Sequence, residues 1–141
     1  MATFNKFNQF VEDVAKKVHN LNSDTLKILL TAVAPVSTNS VKADLTEIAA
    51  GNGYSAGGTT ATFSSGAQTT GTYKLVLSDV TFTASGGSIT TFRYAVLYND
   101  TPTSPADPLI GYWDYGASIT VTNGNSFTVD LDATNGVLTL A

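Results

Sequence analysis

No cysteine occurs in the 141 residues, so neither a disulfide framework nor a thiolate metal site is available. That excludes thiol redox chemistry; it permits cytosolic assembly without excluding export. His19 is the single histidine. A Ser-His-Asp arrangement would have to be built on it, and a lone histidine near a helix C-terminus more often serves the helix dipole. Glutamate is limited to Glu12 and Glu47, both in the N-terminal third. A glycosidase pair needs a carboxyl of raised pKa beside an ionised partner, and nothing in the spacing of the aspartates singles out such a pair. Charge as a whole is scarce, at 13% of residues. Residues 1–47 balance five lysines against Glu12, Asp13, Asp24, Asp44 and Glu47, whereas residues 48–141 set Lys74 and Arg93 against six aspartates and sum to −4. Nucleic-acid binding requires clustered cations, and the acidic C-terminal part cannot supply them. Long apolar runs are missing too. Lys6, Glu12 and Asp13 interrupt the N-terminus, so no targeting or membrane segment is expected and the chain reads as soluble.

What is present begins with an apolar rhythm. Phe4, Phe7, Val11, Val14, Val18 and Leu21 recur at steps of three and four, the spacing that places side chains on one stripe of a helix. The expected helix starts near Thr3, frays near Asn20 and occupies residues 1–22. Its stripe must be covered, by its own domain, by a three-helix seam in a trimer, or by a different protein. Residues 23–53 are expected to hold a strand in "TLKILLTAV", ended by Pro35, and a short helical turn in "ADLTEIAAGNGY", with Asp44 and Glu47 as a capping pair. The length suits one domain, 1–141, large enough to bury a core without staples.

From residue 54 the texture becomes short β-rich runs punctuated by Gly, Ser and Thr, as in all-β proteins. The candidate strands are 60–65, 72–85, 91–99, 109–116, 118–122, 126–132 and 136–141. Ser78-Asp79 interrupts the alternation in the second run and predicts a bulge or change of face. "SGGS" at 85–88, "NGN" at 123–125 and "TNG" at 134–136 carry the residues that tight hairpins need, and two of them are expected to close one. "NDTPTSPADP" at 99–108 contains Pro102, Pro105 and Pro108 and reads as an exposed contact loop. The expected fold is therefore mainly β, an antiparallel β-sandwich of jelly-roll-like or Ig-like kind with an N-terminal amphipathic α-helix.

Motifs for chemistry are weak. "DLDATNG" at 130–136 departs from the EF-hand pattern, because its glycine falls seventh and no Glu follows. "GNGYSAGG" at 51–58 lacks the lysine and following helix of a phosphate cradle. The ring-rich run "LIGYWDYG" contains Tyr112, Trp113 and Tyr115, and "FRYAVLY" adds Phe92, Tyr94 and Tyr98. Strand alternation puts Ile110, Tyr112 and Asp114 on one face and Trp113 and Tyr115 on the other. One set then belongs to core or interface, and the other offers a carbohydrate platform or a protein contact.

The phrases "TAVAPVSTNSVKADLTEIAAGNGYSAGG", "TTGTYKLVLSDVTFTASGGSI", "FRYAVLYNDTP" and "PLIGYWDYGASITV" resemble a family of small tailed-bacteriophage virion structural proteins. The resemblance covers nearly the whole chain. It implies a non-enzymatic capsid decoration (cement) protein, made in the bacterial host cytoplasm and carried on the virion surface. Its implied partner is the major capsid protein lattice, and its implied state is a homotrimer. It carries over no catalytic or metal residues; no cofactor is expected, and charge and the missing apolar runs lead to an expectation of no nucleic acid and no membrane. Expected oligomer or capsid contacts are Phe4, Phe7, Val11, Val14, Val18, Pro102, Pro105, Tyr112, Trp113 and Tyr115. The alternatives are a tail-associated structural protein and a carbohydrate-binding module for host surface glycans.

Overall fold

Leu26, Ile28, Leu29, Leu30 and Thr31 are all buried, so the strand they form has no face left for solvent. A run apolar on both sides of its pleat has to be central in a sheet covered twice, and this strand organises the molecule. A computed structural model describes residues 2–141. In chain order the elements are β1 (Asn5–Lys6), α1 (Asn8–Ala15), β2 (Leu26–Thr31), a 3₁₀ turn (Lys42–Asp44), β3 (Thr59–Thr60), β4 (Phe63–Thr69), β5 (Thr72–Leu77), β6 (Val80–Thr83), β7 (Phe92–Asn99), β8 (Leu109–Ile119), β9 (Ser126–Val129) and β10 (Leu138–Leu140). Three sheets result, ordered β1-β8-β7-β2-β3, β10-β5-β4 and β6-β9. Every strand pair in them is antiparallel.

The five-stranded sheet separates two apolar clusters. On one side Leu26, Ile28 and Leu30 of β2 meet Leu75 and Leu77 of β5, Phe82 of β6 and Val129 of β9, so the smaller sheets close this face. On the other side Phe7, Leu29, Val96, Tyr98 and Leu109 form a second cluster joined by Leu45 and Tyr112. The chain from residue 37 to 45 lies on that side, with Leu45 packed on the cluster and Lys42 Nζ 5.9 Å from the Tyr98 ring, and it is tied down by Asn8 N to Ser37 O at 2.9 Å and Leu109 N to Ser40 O at 3.0 Å; Ile48, bonded to Leu30 O at 3.1 Å, already belongs to the main core. Burying a large apolar side chain is worth ~1.5–3 kcal/mol. That makes this irregular segment a structural layer as much as the sheets are.

The N-terminal helix is shorter than its rhythm predicts, and it is not the regular amphipathic rod expected over residues 1–22. Asn5 and Lys6 pair with Tyr112 and Gly111 of β8, and Phe7 N–H extends the contact to Ile110 O at 3.1 Å. Phe4 and Phe7 are therefore placed by an extended segment. At the other end Lys17 takes the left-handed conformation, φ +65°. Lys17 N bonds Val14 O at 3.2 Å and Val18 N bonds Asp13 O at 2.9 Å, the two closures of a Schellman stop. The helix turns Phe10 and Asp13 inward, while Val11, on the supposed stripe, is 54% exposed.

Other boundaries move as well. The break at Ser78-Asp79 is real and larger than a bulge, since β5 and β6 belong to different sheets. None of "SGGS", "NGN" and "TNG" joins two strands that pair with each other. The tight hairpin lies instead at Thr70-Gly71, φ +49° and +85°, between β4 and β5. Positive φ at both positions matches a type I′ turn, with threonine in the place usually held by Asn or Gly. The 84–86 and 123–125 loops brace one another through Ala84 N to Asn125 O and Gly124 N to Ala84 O, both 2.9 Å. Residues 109–119 form one strand where two were expected.

Candidate functional site

An aromatic groove opens between the five-stranded sheet and β9. Trp113 and Tyr115 project from the same face of β8, Phe92 and Ala95 come from β7, and Phe127, Thr128 and Val129 of β9 with the following Asp130 form the facing wall. The volume is about 320 Å³. Phe127 holds the wall together, edge-on to Phe92 at 5.1 Å and to Tyr115 at 5.6 Å. Trp113 also packs against Phe4, with ring centroids 5.3 Å apart. Offset and edge-to-face pairs of this kind add stabilisation beyond the area they bury. They also hold Trp113 half-buried, whereas Tyr115 stays 58% exposed.

Polar groups sit at the rim. Arg93 makes a forked pair with Asp114, Nε to Oδ1 at 2.7 Å and Nη2 to Oδ2 at 3.1 Å. The hydrogen bond from Arg93 and the Gly116 N–H hold the Asp114 carboxyl below its ordinary range. Asp130 presents a carboxylate that accepts the Asp132 N–H. This lining of flat rings, with Arg93 and Asp130 as its charged members, suits stacking on a ring-shaped or apolar group better than proton transfer.

The expected contact residues do not come together. Phe7 is fully buried against Tyr112, 5.2 Å between rings, in the cluster behind the sheet. Val14 packs against the main core and Val18 is half-buried. Pro102 is half-buried and Pro105 exposed, in the 100–108 loop joining β7 to β8. Tyr112 leaves the aromatic platform altogether. β7 pairs Leu97 with Gly111 but Tyr98 with Leu109, so Ile110 is an extra residue in β8. The shift sends Ile110 into the main core and Tyr112 to the other cluster, where simple alternation had them sharing a face. Trp113, Tyr115 and Phe127 remain as the groove's rings. Phe127 was not singled out by sequence, because a lone ring in "SFTVDLD" gives no sign of which strand it will face.

Two polar clusters lie elsewhere. Glu47 accepts the Tyr54 hydroxyl and the Gly57 N–H, and pairs with Lys42 at 3.6 Å. Tyr54 OH in turn accepts Leu30 N–H at 3.1 Å. Burial, and then the bond to Glu47, drive the Tyr54 phenol far above its ordinary value. Glu47 thus straps the glycine-rich 51–58 loop to the sheet, and is no capping partner for Asp44. Asp44 instead accepts the Ser40 and Val41 N–H groups. In the second cluster, buried Asn99 bonds His19 Nδ1 at 3.0 Å and Asp24 at 2.7 Å. His19 Nε2 and Asp13 Oδ2 have no hydrogen-bond partner among the described residues.

Among the described residues no group of three or more His, Asp or Glu side chains is placed to hold a metal ion. No helix among them is long and apolar enough to cross a membrane. No protein-family model, no curated protein and no solved structure matches the chain.

Proposed function

We propose that the protein is a non-enzymatic structural component of a tailed-phage virion, a decoration subunit that docks on the major capsid protein lattice. The supporting observation is a set of three exposed valines. Val11, Val33 and Val36 are each more than half exposed. Val11 lies on α1 and the other two on the segment tied to the start of α1 through Asn8 N to Ser37 O. An apolar group on neighbouring segments of a surface otherwise rich in hydroxyls is what a protein contact uses. Pro105 in the 100–108 loop is a further exposed contact. Part of the same reading is that the layered sheets form one sandwich, of jelly-roll-like or immunoglobulin-like kind. The three-fold assembly implied by the family resemblance would have to use exposed surface, since Phe7 and Phe10 are spent inside the chain. Lattice symmetry multiplies weak contacts into durable attachment.

Purified virions with Val11→Asp plus Val36→Asp should lose the protein while its circular dichroism stays that of the parent. Unchanged occupancy at many copies per particle would reject the valine surface. A handful of copies confined to tail preparations would favour a tail-associated component instead.

The aromatic groove favours a second reading, a carbohydrate-binding module that stacks a sugar ring of a host surface glycan on Tyr115 and Trp113. Titrating host polysaccharide against the fluorescence of Trp113 checks it. Saturable quenching that Tyr115→Ala abolishes supports this reading, and a flat titration removes it.

A further inference from the structure

We propose that β4 is a self-pairing edge, through which a second copy of this chain adds its own β4 antiparallel to the first. β4 is the outer strand of the β10-β5-β4 sheet. It is seven residues long, whereas the other sheet-edge strands run from two residues in β1 and β3 to four in β6 and β9. Thr69 pairs with Thr72 beside the two-residue turn. The alternation of an antiparallel ladder then turns the backbone N–H and C=O of Gly66 and Gln68 away from β5. Those outward groups have no backbone partner among the described residues.

The strand lacks most of the devices that natural edges use against pairing; its one register shift lies between Phe63 and Ser65, at the end away from the turn, and Asn22 and Tyr73 stand where a Gly66 side chain would project, on a face of the sheet rather than along its open edge. Such edges are short, or carry lysine, proline or a covering loop. "FSSGAQT" contains neither charge nor proline, and all its residues are exposed except half-buried Gly66. No charged residue occurs anywhere between Glu47 and Lys74. In a chain of net charge −4 this is the stretch along which two copies approach without like-charge repulsion. The same neutrality identifies the occupant. β4 offers nothing that would select a charged partner strand, while a second β4 matches it in length and neutrality. It pairs about a two-fold axis with no like charges opposed. The turn at Thr70-Gly71 holds the strand extended beforehand, which lowers the ordering cost of association. Isologous pairing gives a continuous sheet ordered β10-β5-β4-β4-β5-β10 across the dimer.

Sedimentation velocity across a concentration series, with hydrogen exchange at low and high concentration, tests this. The wild-type chain is expected to dimerise, with amide exchange at Gly66 and Gln68 slowing as concentration rises. Ala67→Glu is the diagnostic variant. Ala67 lies directly across from Lys74, so within one chain the new carboxylate gains an opposite charge and the hairpin is kept. Across the two-fold axis the same carboxylates oppose each other, and the dissociation constant should rise about tenfold or more. A wild-type monomer at the highest concentration, an Ala67→Glu dimer as tight as the parent, or exchange at Gly66 and Gln68 that ignores concentration would each overturn the inference. It stands apart from virion attachment, so a dimer that ignores virions would reject only the docking proposal.

Discussion

At the scale of single residues, Gly111 and His19 carry the clearest consequences. A Cβ built on Gly111 would lie 2.2 Å from the Phe4 ring and 2.9 Å from Asn5 O. The backbone oxygen cannot give way, so the absent side chain is what lets β1 and Phe4 close over β8. Gly111→Ala should cost about 1–3 kcal/mol, the range for overpacking a filled site. It should also separate Phe4 from Trp113, read as a shift in the emission of the only tryptophan. At His19, burial lowers the pKa from its ordinary 6.5, against an opposing pull from Asp13 and Asp24. Near that pH the unfolded chain binds the proton more readily than the folded one. Stability is then complete above the unfolded value and declines as pH falls below it. The melting temperature should drop between about pH 7 and pH 5, and His19→Gln should flatten that part of the profile. A profile identical in the variant would show that other groups set it.

At the scale of elements, the N-terminal segment behaves as a strand followed by a helix, and Phe7 sits at the joint. Its ring is completely buried against Tyr112, Leu29 and Val96. Phe7→Ala should destabilise by about 3–5 kcal/mol, as phenylalanine truncations in packed cores do. That is a large share of the ~5–15 kcal/mol typical of a domain, and the loss is measurable by urea unfolding. Phe7→Asp with Val14→Asp should unfold the chain outright, and a folded, dissociated monomer would contradict internal packing. The step of three and four in Phe4, Phe7, Val11, Val14 and Val18 was legible, but its cause was not. Phe4 and Phe7 lie inward because a strand pairs with β8, Phe10 because α1 turns it there, and Val11 does not lie inward at all. The helix stop carries no signal in the sequence because lysine holds the left-handed position usually given to glycine. The same holds for Thr70 in the hairpin turn.

At the scale of the whole molecule, the five-stranded sheet couples the two apolar clusters. β2 and β7 each give residues to both, Leu30 and Leu97 on one side and Leu29 and Val96 on the other. Neither cluster can dissolve without freeing the strands that hold the other. Thermal unfolding should therefore be a single transition. The emission of Trp113, packed against the main core, and the near-ultraviolet dichroism of Tyr98 and Tyr112, in and against the smaller cluster, should coincide. Separate midpoints would mean that the covering segment from residue 37 to 45 melts independently.

The sequence by itself determined the β-rich class, the position of β2, the break at Ser78-Asp79 and the exposed proline loop. Each is set by local composition: a dense apolar run, a lost alternation, residues that cannot join a ladder. Tertiary structure alone decided which side of the five-stranded sheet each aromatic ring occupies. One extra residue at Ile110 reverses the facing of the rest of β8, and that insertion depends on the partner strand. It likewise decided that Phe127 meets Tyr115 and that β4 remains an open edge. Such contacts arise between strands distant in the chain, where the spacing of residues along one segment holds no information about its neighbours.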